Sequence, residues 1–349
     1  MLTTHSLQIM DHLRSRRRLW KAVMLITLLL TGPLPTWMYQ SKTIQTHNLA
    51  GSGFSFTVAG DYDETDKTTD NLTYLAHAGV TFHLAIGDFS YSSSISPTAW
   101  SSYVKSHLPA HFPFEILAGN KDASQINTYA ADLPDHLGSI AGAYAREYSF
   151  DYPSNAPQAR FILLSPGGIL SGYSYSKGSS HYNWVARQID AARAAGIHWV
   201  IVAMHKHCIA ISKQSCSIGS DLQNLLISTR VDLILQAHSH TYQVSKQLAL
   251  NGTTCPSIQI NGYNPSCVVS ATTHLTRGSG SVIVITGTGG ASLSTITSAD
   301  PEQGYFRKWM GANVNQTWGV SKVTVTASQV SVQFVATSGS FSDSFSING

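Results

Sequence analysis

Five short apolar runs fix what this 349-residue chain can fold into, because each stops abruptly on a polar group of restricted chemistry. The run over 54–59 stops at Gly60-Asp61-Tyr62-Asp63, and that over 80–86 at Gly87-Asp88-Phe89-Ser90-Tyr91. Residues 112–118 stop at Gly119-Asn120-Lys121-Asp122, 199–204 at His205, and 231–236 at Ala237-His238-Ser239-His240. Helical stretches lie between them. Residues 65–77 are halted by Gly79, and 221–229 form a short candidate. In 180–195, Trp184, Val185, Gln188, Ile189 and Ala192 recur at helical spacing before Gly196. Apolar runs alternating with helices predict an α/β core of buried, largely parallel strands. Ligands of such sheets gather outside the carboxyl ends of the strands.

Taken alone, each polar residue has an ordinary explanation. An Asp after a strand caps a turn or helix, an Asn after Gly makes a turn, and a lone His packs. Five successive strand ends carrying the same class of side chain are not explained that way. Asp61, Asp88, Tyr91, Asn120, His205, His238 and His240 offer carboxylate, phenolate, amide and imidazole, a hard-to-borderline set suited to iron, manganese or zinc. These seven donors are too many for one ion and about right for two sharing a bridging carboxylate. Two metals about 3.5–4 Å apart clamp the attacking and leaving oxygens of an in-line displacement at phosphorus.

The last third changes character. Residues 282–285 run into Thr286-Gly287-Thr288-Gly289-Gly290, and 320–326 and 330–336 flank a short turn, which predicts an antiparallel hairpin. Residues 341–347 add a candidate strand, while the Gly/Ser-rich stretches 167–180 and 276–281 read as loops. No linker divides 54–349, which is read as one domain.

In order, Gly60-Asp61, Gly87-Asp88-x-x-Tyr91, Gly119-Asn120-x-Asp122, Val202-x-x-His205 and x-His238-x-His240 resemble the calcineurin-like metallophosphoesterases, specifically their purple acid phosphatase branch. The likeness spans roughly residues 54–242, and Tyr91 is its most discriminating match, because a tyrosine ligand separates this branch from the wider superfamily. The resemblance implies an α/β four-layer sandwich, two mixed β-sheets flanked by helices. It implies one metal on Asp61, Asp88, Tyr91 and His240, and a second on Asp88, Asn120, His205 and His238, with Asp88 bridging. The implied pair is iron(III) on tyrosinate beside iron(II), zinc or manganese. A trivalent ion would bring a tyrosine far below its usual pKa of about 10.

The resemblance further implies acid-phosphatase-like hydrolysis of a small phosphate monoester by metal-bound hydroxide, with Asn120 and Lys121 as the catalytic pair. A phosphodiesterase or nucleotidase on the same metals is the alternative, with Tyr173, Tyr175 or Trp184 stacking a base. Three positions depart from the pattern. Lys121 stands where the family has a histidine that contacts phosphate; either the lysine replaces its charge, or the chain is a non-catalytic metal- or phosphate-binding module. Asp63 stands where the wider superfamily places a metal-binding histidine and is expected to support the ligands or cap a helix. Ala237 replaces a glycine. Lys206, His207, His107 and His111 are nearby candidates with no assigned role. The N-terminal β-sandwich of plant-type members has no counterpart before residue 54, so a catalytic-domain-only chain is expected.

Residues 1–40 read as an export signal or an N-terminal anchor, followed by a linker over 41–53. Arg16-Arg17-Arg18-Leu19-Trp20-Lys21 precedes an apolar run over 22–30 that is closed by Pro33 and Pro35, in an order resembling a twin-arginine signal. That run is about half the ~20 residues a spanning helix needs. Five basic residues against one acidic give this segment a net charge of +4, so the rest of a +3 chain is near neutral. A near-neutral body excludes a nucleic-acid partner. A secreted or extracytoplasmic location follows, with membrane attachment only if the segment is retained. Cys208/Cys216 and Cys255/Cys267 are expected as two local disulfides, with Cys208 as a metal ligand the alternative.

Overall fold

Runs that are apolar at every position form strands buried on both faces, and that demand shapes the molecule, here described from a computed structural model. The structure describes residues 53–212 and 215–349. The expected signal or anchor over 1–40, and all of the 41–53 linker but its last residue, lie outside the described residues.

One sheet has the order β12 (His274–Thr276), β17 (Asp343–Asn348), β16 (Gln329–Ser338), β15 (Trp318–Val325), β1 (Phe54–Ala59), β2 (Phe82–Ala85), β3 (Phe114–Ile116). Strands β1, β2 and β3 are parallel, and β15 runs antiparallel to β1. The predicted hairpin is β15–β16, with Val320 opposite Val335 and Val325 opposite Val330. The second sheet has the order β14 (Phe306–Met310), β9 (Tyr242–Ser245), β13 (Val282–Thr286), β8 (Leu233–Gln236), β7 (Trp199–Met204), β6 (Ala159–Leu164), β5 (Glu147–Tyr152), β4 (Ala141–Ala143). Its centre, β13-β8-β7-β6, is parallel and its margins are antiparallel. A small pair, β10 (Gln247–Leu248) and β11 (Val268–Ser270), completes the strands. Both sheets are therefore mixed rather than largely parallel, because antiparallel strands are added on one side of β1-β2-β3 and on both sides of β13-β8-β7-β6.

Five helices are described: α1 (Asp66–His77), α2 (Pro97–His107), α3 (Ile126–Asp132), α4 (Ser180–Ala194) and α5 (Ser220–Ser228). Thr65, Ser96 and Ser179 cap α1, α2 and α4 by accepting the amides of Thr68, Ala99 and Tyr182. Leu72, Trp100 and Tyr129 cover the outer face of the first sheet, against Ala59, Ala85 and Ile116. Val185, Ile189, Leu222 and Leu226 cover that of the second, against Val200, Val202 and Ile234. Between the sheets, Phe56 stacks on Phe82 at 5.0 Å and meets Phe161 edge-on at 5.1 Å. The layers run helices, sheet, sheet, helices. Cys208–Cys216 and Cys255–Cys267 are disulfides, which removes Cys208 from the possible ligands.

Candidate metal centre

Strands β1, β2 and β3 of one sheet and β7 and β8 of the other end on a shared edge, where their following residues bond across the gap. The His238 amide donates to Asp61 Oδ2 at 2.8 Å, and His205 Nδ1 donates to the Ile86 carbonyl at 2.9 Å. Asp61, Asp88 and His238 turn out of their strands with φ of 61°, 54° and 67°. Left-handed backbone costs a non-glycine residue about 1–3 kcal/mol and persists only where its surroundings over-determine it. Gly87 also has positive φ, 90°, and a side chain there would collide with the backbone of Gly119. One at Gly119 would collide with the Asp88 carboxylate. The two glycines let the Gly-Asp and Gly-Asn loops touch.

Asp122 ties those loops together. Its carboxylate accepts the amides of Asp88 and Gly119 on Oδ2, both at 2.7 Å, and that of Phe89 on Oδ1 at 2.9 Å. Asp88 Oδ1 in turn accepts the Lys121 amide at 2.8 Å. The other Asp88 oxygen faces the cluster.

The side chains converge as two groups that share Asp88. Tyr91 Oη lies 2.8 Å from Asp61 Oδ1, 3.1 Å from Asp88 Oδ2 and 2.8 Å from His240 Nε2. His240 Nδ1 donates to the Ser292 carbonyl at 2.8 Å, which leaves Nε2 turned inward. On the other side, Asp88, His205 and His238 bring ligand atoms within 4.8 Å of one another among the described residues. His205 Nε2, buried and without a hydrogen-bond partner, lies 3.4 Å from Asp88 Oδ2 and 3.8 Å from Asp61 Oδ1. A histidine whose one nitrogen is held by a carbonyl while the other faces carboxylates is set up as a metal ligand.

Positive charge is what this cluster lacks. Burial, chiefly, raises the Asp61 carboxyl. Burial also pushes Asp88 up, but His205 and the Lys121 amide outweigh it and hold Asp88 down to about 2. Burial pulls His205 down, while Asp88 and Asp61 lift it to about 9. Burial and the two carboxylates drive Tyr91 far above the ordinary phenol range. Burial, with His205 and His207 beside it, lowers His238 to about 3, an imidazole kept neutral for coordination. One phenolic hydrogen facing three acceptors, next to a buried imidazole between carboxylates, fits a pair of cations. These residues have the donor types that iron, zinc or manganese takes.

Six of the seven predicted ligands are thus brought together: Asp61, Asp88, Tyr91, His205, His238 and His240. Asn120 stands exposed at the rim, between Gly119 and Lys121, whose amides are tied to Asp122 and Asp88. Lys121 places its ammonium 5.6 Å from the Tyr91 ring centroid. Asp63 turns to backbone, accepting the Glu64 amide at 3.1 Å and the Tyr91 amide at 3.5 Å; Thr65, not Asp63, caps α1. His207 is buried with its ring 5.8 Å from that of His238, and Lys206 donates to the Gly167 carbonyl at 2.9 Å. His107 and His111 lie before β3, at the end of the sheet away from this edge. Sequence reasoning gave no role to Asp122, although its Gly-Asn-x-Asp motif displays it, and no signal pointed to the Ile86 and Ser292 carbonyls.

A sequence model described as calcineurin-like phosphoesterase matches residues 46–242. The chain is 26% identical over 204 residues to Purple acid phosphatase 21 of Arabidopsis thaliana, covering 55% of this chain and 45% of that protein. It is 25% identical over 310 residues to a nucleotide pyrophosphatase/phosphodiesterase of Hordeum vulgare, covering 83% and 76%. It thus spans less than half the length of the first of these relatives. In fold it resembles the purple acid phosphatase PPD1 from yellow lupin (Lupinus luteus) seeds, with a TM-score of 0.63 at 15% identity over 85% of this chain and 54% of that one.

Proposed function

The chain belongs to the calcineurin-like phosphoesterase family, and on that premise we propose that it is an exported hydrolase of phosphate monoesters working at a dinuclear metal centre. The observation that carries this reading is the excess of acceptors at one point, with Asp61, Asp88 and His240 all within 3.1 Å of Tyr91 Oη. Asp61, Tyr91 and His240 would hold one ion, Asn120, His205 and His238 the other, and Asp88 both. An iron ion partnered by iron, zinc or manganese suits these donors. When bound, such a pair supplies a water of lowered pKa and neutralises charge on phosphoryl oxygens.

The remaining work falls to the chain. The Ile86 and Ser292 carbonyls orient His205 and His240, and Asp63 holds the Tyr91 backbone. Asn120, at the exposed rim, is placed to meet an entering ester oxygen. Lys121, over the Tyr91 ring, offers fixed positive charge to the phosphoryl group as negative charge builds. Export is supported by the two disulfides and by the basic-then-apolar pattern of residues 1–40. A second reading, a nucleotidase or phosphodiesterase on the same centre, is favoured by the barley relative, whose likeness runs over 83% of this chain.

A panel of monoesters and diesters, assayed with wild type, Lys121→Arg and Lys121→Met, tests the proposal. Wild type is expected to prefer monoesters, Lys121→Arg to stay within a few-fold of it, and Lys121→Met to lose roughly 10²-fold in kcat/KM, as for removal of one preorganised donor. Preference for diesters would select the second reading. Metal-loaded protein that cleaves no ester, unrescued by Lys121→His, would leave a binding module.

A further inference from the structure

The Gly-rich run that follows β13 forms neither strand nor helix over 287–292, yet residues 287–291 are buried. Buried carbonyls need donors, and α1 supplies them. Thr65, which caps that helix, and Thr68 and Asn71 within it recur at three-residue spacing along one face. Thr65 Oγ1 donates to the Gly290 carbonyl at 2.9 Å, and Thr68 Oγ1 to that of Gly289 at 3.1 Å. Asn71, fully buried, donates from Nδ2 to the carbonyls of Gly289 at 2.9 Å and Thr288 at 3.2 Å. Its Oδ1 accepts the Thr337 hydroxyl at 2.7 Å, which fixes the direction of the amide.

The other side of this loop holds one half of the metal centre. The Gly289 amide donates to the Gly60 carbonyl at 2.9 Å, and the Ala291 amide to that of Asp61 at 3.0 Å. The Ser294 amide donates to the His240 carbonyl at 2.8 Å, and the Ser292 carbonyl accepts His240 Nδ1. Asp61 and His240 both belong to the group around Tyr91 Oη. The second group hangs on different supports. His205 Nδ1 is held by the Ile86 carbonyl, and the turn that carries Asn120 is held by Asp122 through the Gly119 amide.

We propose that Asn71 is a positioning residue for the ion held by Asp61, Tyr91 and His240, acting through the loop and leaving the second ion untouched. This rests on the dinuclear reading of the centre. Alanine at 71 takes a donor from two adjacent carbonyls. The loop can then shift the Asp61 backbone and the Ser292 carbonyl together, and both were aiming ligands at the same ion.

Zinc binding by the full chain, measured by equilibrium dialysis in two backgrounds, tests this. His205→Ala disables the second group and leaves the first to report; His240→Ala does the reverse. Asn71→Ala should weaken zinc about tenfold in the His205→Ala background, the low end of the cost of losing an outer partner of a ligand. In the His240→Ala background the affinity should hold. Thr68→Val keeps the shape and removes only the donor to Gly289, so it should act on the same background by less. It carries the test if Asn71→Ala does not fold. Equal weakening in both backgrounds, or none in either, would make Asn71 a merely structural residue and overturn the proposal, with the dinuclear reading intact. Wild type that binds fewer than two zinc ions would contradict that reading and overturn the proposal with it.

Discussion

Asp88→Asn is expected to lose both metals and to cut turnover by about 10³-fold or more, beyond the 10²–10³ of a single oxyanion donor. Asp88 is the residue common to both ligand groups: Oδ2 faces Tyr91 Oη at 3.1 Å and His205 Nε2 at 3.4 Å. Asparagine keeps the shape but removes the negative charge that faces His205 Nε2 at 3.4 Å. It also leaves a neutral amide group where the carboxylate Oδ2 faces both ligand groups. The fold should survive, since the Asp88 amide still donates to Asp122. Metal analysis beside kcat checks this. Two metals and full activity in the variant would remove Asp88 from the centre.

Asp122→Ala should have the largest effect on stability. Its carboxylate accepts three buried amides, from Asp88, Phe89 and Gly119, and alanine leaves all three without that acceptor. An orphaned buried donor costs about 1–3 kcal/mol. Because the three losses share one relaxing loop, a total near 3–5 kcal/mol is expected, a large part of the ~5–15 kcal/mol that stabilises a folded protein. Urea unfolding in the presence of a chelator isolates this cost from metal binding. Asp122→Asn, with one acceptor oxygen left, should fall between alanine and wild type. A loss below ~1 kcal/mol for alanine would mean that the loops are held by something else.

How legible this was in the sequence depended on distance along the chain. The strand ends were readable because each ligand follows its own apolar run within a few residues, as Asp61 follows Ala59 and His205 follows Met204. Beyond the β15–β16 hairpin, the direction of strands distant in sequence was not. Val320 and Val330 announce strands, but the same apolar pattern suits parallel and antiparallel neighbours, and only the pairing shows β15 running against β1. The stretch holding β4 to β6 was passed over, although β6 carries the loop that begins beside His205. Asp122 was visible as a letter in a motif, yet its partners Asp88 and Phe89 lie more than thirty residues earlier on another strand end. The carbonyls of Ile86 and Ser292 have no sequence signature, because every residue carries one.

Hydrolysis of a phosphate monoester, followed while metal is titrated into the metal-free wild-type chain, tests the central claim most directly. The shared Asp88 and the two donor groups around it predict turnover that climbs until two equivalents are bound per chain and then stays flat. Turnover that is complete at one equivalent, or that proceeds without metal, would contradict a dinuclear centre.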